Sequence, residues 1–243
     1  MESNLIKRAK YKYEEDGLKS FVIASLRHVY KLYIRNYIPK RDYLIKQNIK
    51  IYDPDYRFLD EYIMGSDFII PDNHKQSNVL LVRKQINDGD DVITVGGGRG
   101  ITSINAALEV GPSGSVTIYE PSKSQINELK QNSILNEVDN IITTRHAFVG
   151  EVIIDVDDVE TARGISPEDL PECDVLELDC EGAEKEILEG LKTRPNTIIV
   201  ETHPRQGTAT EKISRILKQS GYSIIDKEKD RHCGDILVGS LES

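Results

Sequence analysis

The sequence predicts an α/β protein, a doubly wound and mostly parallel sheet with helices on both faces, preceded by a basic helical extension. Three observations carry this reading. From about residue 75 onward, short β-prone apolar runs alternate with segments of helical periodicity, the order of a parallel sheet. The run VITVGGGRG, residues 92 to 100, sets glycines directly behind a strand, and Ile101, Ile104, Ala107 and Leu108 then follow at helical spacing. Strand, glycine turn and helix in that order form a nucleotide-cradling unit. Finally, YSIIDKEKD and DILVGSL are separated by a short polar segment containing Gly234, too short for a crossover helix, so these strands should pair antiparallel.

The elements follow in order. A helix is expected near 75–87, a strand at 91–95, a helix at 101–109, a strand at 115–119, a helix at 122–135 and a strand at 140–144. An irregular acidic segment, 151–171, precedes the strand VLELD at 175–179. A helix at 182–192, the strand TIIVET at 197–202 and a helix at 208–220 lead through Gly221 into the final pair. With 243 residues, the chain has room for one main core and a modest extension. The Tyr-rich text around Tyr52–Asp72, punctuated by Pro54, Gly65 and Pro71, places the boundary near Gly65: an extension over 1–65 and a main domain over 66–243.

Composition narrows the function classes. Charged residues are 30% and hydrophobic ones 38%, a globular balance. Apolar runs such as FVIAS are too short to span a bilayer, and the polar N-terminus lacks a signal-peptide core, so a cytoplasmic location is expected. Cys173, Cys180 and Cys233 have no CxxC spacing, and among five scattered histidines only His232 has a neighbouring Cys. Neither a disulfide framework nor a metal site is expected from such spacing.

Net charge is −10, unevenly distributed. Residues 1–50 hold 12 Lys and Arg against 5 Asp and Glu, whereas the remainder holds 19 against 36. In LKSFVIASLRHVYKLYIR, residues 18–35, a helical wheel gathers Leu18, Phe21, Val22, Leu26, Val29, Leu32 and Tyr33 on one face, with Lys19, Arg27, Lys31 and Arg35 opposite. The helix reads either as one packed on the domain or as a basic amphipathic helix on an anionic membrane surface. Nucleic acid is not an expected partner, because the rest of the chain is acidic.

The glycine turn defines the candidate site. In a doubly wound sheet the ligand lies beyond the strand carboxyl ends, where strand order reverses. A dinucleotide fingerprint needs Gly or Ala at 101, where this chain has Ile101; Gly96, Gly97, Gly98 and Gly100 instead suit a bound nucleoside. Glu120, about twenty residues beyond the turn at the end of the next strand, is placed to accept hydrogen bonds from both ribose hydroxyls. In DVLELDCEGAEKEIL, Asp179 ends a strand and Cys180, Glu181 and Glu184 crowd the junction with the following helix. Carboxylates massed at one strand end are costly unless solvated, paired or used. IIVETHP delivers Glu201 and His203 to the same edge, where His203 is either a general base or a loop residue.

Taken in order, VITVGGGRGITS, GPSGSVTIYEPSKSQINELKQNSILN, the DVDDVE segment, DVLELDCEGAEKEIL and IIVETHP resemble the landmarks of FkbM-type S-adenosylmethionine-dependent methyltransferases over about residues 90–225. The resemblance implies a Rossmann-like, seven-stranded sheet with a reversed C-terminal β-hairpin. It implies that Gly96, Gly98 and Gly100 line the methionyl part of S-adenosyl-L-methionine. Glu120 then holds the ribose, His146 and Ala147 border the adenine, and Asp179 sits near the transferable methyl. Thr94 departs from the pattern, since family members usually carry Asp there to fix the cofactor's amino end. Its hydroxyl remains, and Asp179 or Glu181 can take up the ammonium. FkbM-like enzymes generally methylate oxygens on sugars and natural products, so His203, then Asp179 or Glu181, are the candidate bases. The basic extension adds a glycan acceptor on a lipid-linked precursor at the inner membrane face. The Tyr-rich stretch 30–62 suits either a homodimer contact or a cap over the substrate. A nicotinamide-dependent oxidoreductase and a non-catalytic nucleoside-binding relative are the rival readings.

Overall fold

A computed structural model describes residues 18, 20, 22–64, 75–151, 161–229 and 234–242. The DVDDVE segment, the pair His232 and Cys233, and the boundary expected near Gly65 lie outside the described residues. The chain divides into two compact units, one of residues 1–46 and 52–74, the other of 47–51 and 75–243.

In the smaller unit a helix over 22–29 (α1) gives way to a π-helical turn, Tyr30–Ile34, and a 3₁₀ turn, Arg35–Tyr37. The wider turn coincides with Tyr30, which is buried and donates its hydroxyl to Asp60 Oδ1 at 2.9 Å. Asp60 also receives Arg35 and the Arg57 N–H. Burial, reinforced by the Asp60 carboxylate, pushes the Tyr30 phenol up to about 12. Strand β1 (Tyr43–Lys46) and helix α2 (Asp60–Met64) complete this unit. Val22, Leu26, Val29, Leu32 and Tyr33 are exposed. No helix among the described residues is long and apolar enough to cross a membrane.

In the larger unit, Lys50 of strand β2 (Ile49–Tyr52) exchanges backbone hydrogen bonds with the Asn136 side chain. The main elements then alternate. They are α3 (Gln76–Gln85), β3 (Asp91–Val95), α4 (Ile101–Val110), β4 (Ser115–Glu120), α5 (Lys123–Leu135), β5 (Ile142–Val149), β6 (Arg163–Ile165), β7 (Val175–Leu178), α6 (Glu184–Gly190), β8 (Thr197–Glu201), α7 (Thr210–Gln219), β9 (Tyr222–Lys229) and β10 (Asp235–Leu241).

The sheet order is β6-β5-β4-β3-β7-β8-β10-β9. All pairs are parallel except those of β10, which runs antiparallel to β8 and β9. The reversed C-terminal hairpin is therefore present, and all seven expected strands form. An eighth, β6, lies within the segment expected to be irregular, where three residues pair with the end of β5. β5 is also longer than its apolar pattern indicated, because its exposed polar positions alternate along an outer strand of the sheet.

The central strands are buried and mostly apolar because helices cover both faces, as in β7, where all four residues, Glu177 included, are buried. Ile93, Leu176, Leu178, Ile198 and Val200 pack with Ile187, Ile213 and Leu217 of α6 and α7. From β3 the chain first moves outward to β4 and later returns to the other side with β7, so the strand order switches beside β3. The crevice of a doubly wound sheet opens at that carboxyl edge.

Candidate active site

Each glycine of the turn after β3 has its own reason. Gly96 has φ +88°, and a Cβ there would lie 1.9 Å from the Asp179 carbonyl oxygen; at Gly97 it would meet Ile118 Cγ2 at 2.2 Å. Gly100, φ +86°, packs against Leu129 of α5, where a Cβ would come within 2.9 Å. Three of the four positions are thus closed by the protein's own neighbours. Gly98, φ +51°, differs: the nearest atom to a Cβ is the end of the Gln125 side chain at 3.1 Å, so here the backbone itself borders the crevice.

Glu120 is buried at the end of β4. Its Oε2 accepts the Gly98 N–H and its Oε1 the Ser122 N–H, each at 2.8 Å. Burial pushes its carboxyl above the usual range, against the pull of these two amides. The carboxylate is held rigidly beside the glycine turn, and each oxygen keeps a lone pair for a ligand hydroxyl. His146 lies opposite Glu120 in the β4–β5 register, with Nε2 2.8 Å from the Pro121 carbonyl oxygen; Ala147 is buried.

Thr94 is fully buried, and its hydroxyl donates to Glu177 Oε2 at 2.9 Å across the β3–β7 register. Burial raises the Glu177 carboxyl to about 7, with Asp179 adding to the shift and Thr102, Thr94 and Lys75 opposing it. Thr94 is therefore committed to a buried pair inside the sheet.

The second half of the site is a cluster of charges. Lys75, at the start of α3, puts Nζ 2.5 Å from Asp179 Oδ2 and 2.6 Å from Glu201 Oε2, while Asn78 Nδ2 donates to the same Glu201 oxygen. Burial would lower the Lys75 ammonium, but the two carboxylates outweigh it and raise it. Burial likewise raises Asp179, against Lys75. After Asp179 the chain turns sharply through Glu181, φ +53°, and Gly182, φ +117°. Folding back, it lets Glu184 accept the Cys180 and Gly182 N–H groups.

Glu184 also stands 2.7 Å from His203 Nδ1. Its burial would raise the carboxyl, but His203 and the backbone amides hold it below the usual range. Burial opposes charge on His203, and the neighbouring carboxylates, Glu184 first, override that and raise the imidazole. His203 Nε2 makes no hydrogen bond among the described residues, and lies 3.6 Å from Glu181 Oε2 and 3.7 Å from Asp179 Oδ1. The geometry thus presents one fixed imidazole with its far nitrogen facing a carboxylate-lined space. Burial drives the Cys180 thiol far above its ordinary value, which leaves it unreactive.

The structure brings Asp179, Glu181 and His203 together at one sheet edge, and Gly98, Glu120 and His146 at the neighbouring strand ends. Sequence reasoning missed Lys75, Asn78 and Glu177. Two signals were legible: a lysine starting a helix, where the dipole disfavours cations, and a glutamate inside the apolar strand VLELD.

The methyltransferase FkbM domain model matches residues 73–224, more than half of the chain. The chain belongs to the FkbM methyltransferase family. It is accordingly an S-adenosylmethionine-dependent methyltransferase, and the nicotinamide reading falls. No curated protein matches the sequence. Among solved structures, the chain is similar to an S-adenosylmethionine-dependent O-methyltransferase from Thermotoga maritima (16% identity, 83% of this chain and 77% of that one, TM-score 0.51). It is also similar to a ribosomal protein L11 methylase from Lactobacillus delbrueckii subsp. bulgaricus (16% identity, 71% and 81%, TM-score 0.52). A further likeness is to a putative transferase from Pyrococcus horikoshii (13% identity, 83% and 72%, TM-score 0.51). At these identities the likenesses establish the Rossmann-like fold of this FkbM protein. The residues at the switch point suit the cofactor: Gly98 offers open backbone, and Glu120 is an acid with lone pairs to spare.

Proposed function

We propose that this FkbM methyltransferase transfers a methyl group from S-adenosylmethionine to an oxygen of a sugar or sugar acid in a cell-surface or lipid-linked glycan. The observation that carries oxygen chemistry is the Glu184–His203 pair facing Asp179 and Glu181. In this reading the glycine turn borders the cofactor's methionyl part through the open backbone at Gly98, with Gly96, Gly97 and Gly100 packing the turn against its neighbours, Glu120 receives the ribose hydroxyls, and His146 and Ala147 flank the adenine. Asp179 lies between cofactor and acceptor.

When bound, the cofactor supplies a methyl on a cationic sulfur, a good leaving group, so the protein's contribution is chiefly alignment. A carboxylate acceptor needs no base. A hydroxyl acceptor must lose its proton, and the groups available are His203, through Nε2, and then Asp179 or Glu181. Glu184 holds the imidazole so that Nε2 faces the acceptor.

Calorimetric titration with S-adenosylhomocysteine, with NAD in parallel, tests the cofactor half. Binding of the former alone is expected, and its absence would speak for a non-catalytic relative. Labelled methyl transfer to a panel of sugars and hexuronic acids tests the acceptor half; transfer to nitrogen or carbon acceptors alone would overturn it.

The smaller unit supports peripheral contact with an anionic membrane. Its exposed Val22, Leu26, Val29, Leu32 and Tyr33 accompany the cationic excess of residues 1–50. Cosedimentation with vesicles containing phosphatidylserine should fall on deletion of residues 1–40 or on raising salt. Unchanged sedimentation would remove the membrane from this reading and leave a homodimer contact as the use of the surface.

A further inference from the structure

Asp179, Glu181, Glu184 and Glu201 gather around His203, and Lys75 pairs with Asp179 and Glu201. With a neutral imidazole the cluster carries three uncompensated negative charges, and all of its members except Glu181 are largely buried. Burying such an excess is costly without a further cation.

Two atoms on almost fully buried side chains, His203 Nε2 and Glu201 Oε1, make no hydrogen bond among the described residues, and they lie 4.0 Å apart. Lys75 binds the outer oxygens, Asp179 Oδ2 and Glu201 Oε2, which leaves Asp179 Oδ1 and Glu201 Oε1 on the imidazole side.

We propose that Asp179 Oδ1, Glu181 Oε2 and His203 Nε2 bind a divalent first-row cation of the Mn²⁺ class, with Glu201 Oε1 holding a water on it. The inference deepens the oxygen-methylation reading and rests on it. The three ligand atoms lie within 4.8 Å of one another. Ligands about 2.1 Å from one cation sit roughly 3.0–3.4 Å apart, so modest shifts close the site, most easily at half-exposed Glu181. Nδ1 bonded to a buried carboxylate is the support that metal-binding histidines use, because it fixes the tautomer and aims Nε2. One imidazole among carboxylates favours Mn²⁺ or Fe²⁺ over the all-oxygen preference of Ca²⁺. The cation would take over the task given above to the free imidazole: it draws the acceptor oxygen to the cluster and lowers the hydroxyl pKa, and the proton leaves to solvent. Close spacing in sequence does not mark this site, because its ligands come from two separate strand ends, after β7 and after β8.

The test uses the full chain stripped with chelator and titrated with MnCl2, read by the loss of the free-ion electron paramagnetic resonance signal and by calorimetry. S-adenosylhomocysteine is titrated separately, with chelator present. One Mn²⁺ per chain is expected, with affinity lowered at least about tenfold in His203→Ala and Glu181→Gln, while the unsubstituted chain binds S-adenosylhomocysteine without the metal. Absence of stoichiometric Mn²⁺ binding, or binding indifferent to both substitutions, overturns the site. Glu181→Gln alters a half-exposed side chain and so serves where His203→Ala fails to fold. Loss of S-adenosylhomocysteine binding with Mn²⁺ retained would count against the methyltransferase reading and not against the cation site.

Discussion

Glu184 Oε1 stands 2.7 Å from His203 Nδ1, and both side chains are buried. The pair joins the start of α6 to the end of β8, so it locks two loops as well as one tautomer.

Glu184→Gln should release that tautomer. Long-range ¹H–¹⁵N spectra of the normal protein are expected to place the proton on His203 Nδ1, and those of the variant to show a mixture. Methyl transfer should fall by about 10–100-fold with cofactor affinity unchanged. An unaltered tautomer in the variant would mean that Glu184 acts only through the Cys180 and Gly182 amides.

Lys75→Met removes the cation between Asp179 and Glu201, whose oxygens lie 2.5 and 2.6 Å from Nζ. Leaving buried carboxylates without their partner costs about 3 kcal/mol. For a chain of this size that is a fall of roughly 6–12 °C in Tm, measurable by calorimetry.

Gly96→Ala meets two obstacles, a positive φ and a Cβ 1.9 Å from the Asp179 carbonyl oxygen. Gly207 has the same φ, +88°, with nothing near its Cβ position. Gly207→Ala should therefore cost only the backbone strain, about 1–2 kcal/mol. Gly96→Ala should cost more than that and abolish S-adenosylhomocysteine binding, because β3 and β7 must separate. Equal melting temperatures for the two variants would show that the loop yields freely.

Glu120 gives a pH-dependent signature. Its carboxyl is raised by burial, so the folded state holds its proton at pH values where the unfolded chain has lost it. Its contribution to stability must then decline as pH rises from about 4.3 through the raised value. The difference in stability between the normal protein and Glu120→Gln should shift against the normal protein over that window in urea titrations. Glu120→Gln should also weaken S-adenosylhomocysteine binding by about tenfold, one charged hydrogen bond's worth.

Much of the fold was legible because local chemistry repeats at fixed periods. Buried parallel strands such as VLEL and TIIVE are mostly apolar runs of strand length, and the polar break at Gly234 is too short for anything but a hairpin. The eighth strand was not legible, since three residues, Arg163–Ile165, carry no periodicity and pair only because the end of β5 lies beside them.

The same division runs through the site. The sequence by itself determined the glycine turn, the acid at Glu120 and the arrival of Asp179 and His203 at one sheet edge, because strand ends are ordered by alternation and the edge follows from strand direction. Only the tertiary structure decided which charges meet. Lys75 lies 104 residues from Asp179 and 126 from Glu201, and Thr94 lies 83 from Glu177. Such pairs are set by strand register and by the seat of α3 on the sheet, which local spacing does not encode. What the glycines face was decided there too: a neighbouring carbonyl at Gly96, Ile118 at Gly97, Leu129 at Gly100 and open backbone only at Gly98. A residue's φ preference is local, whereas the atom that would strike its Cβ comes from another strand or helix.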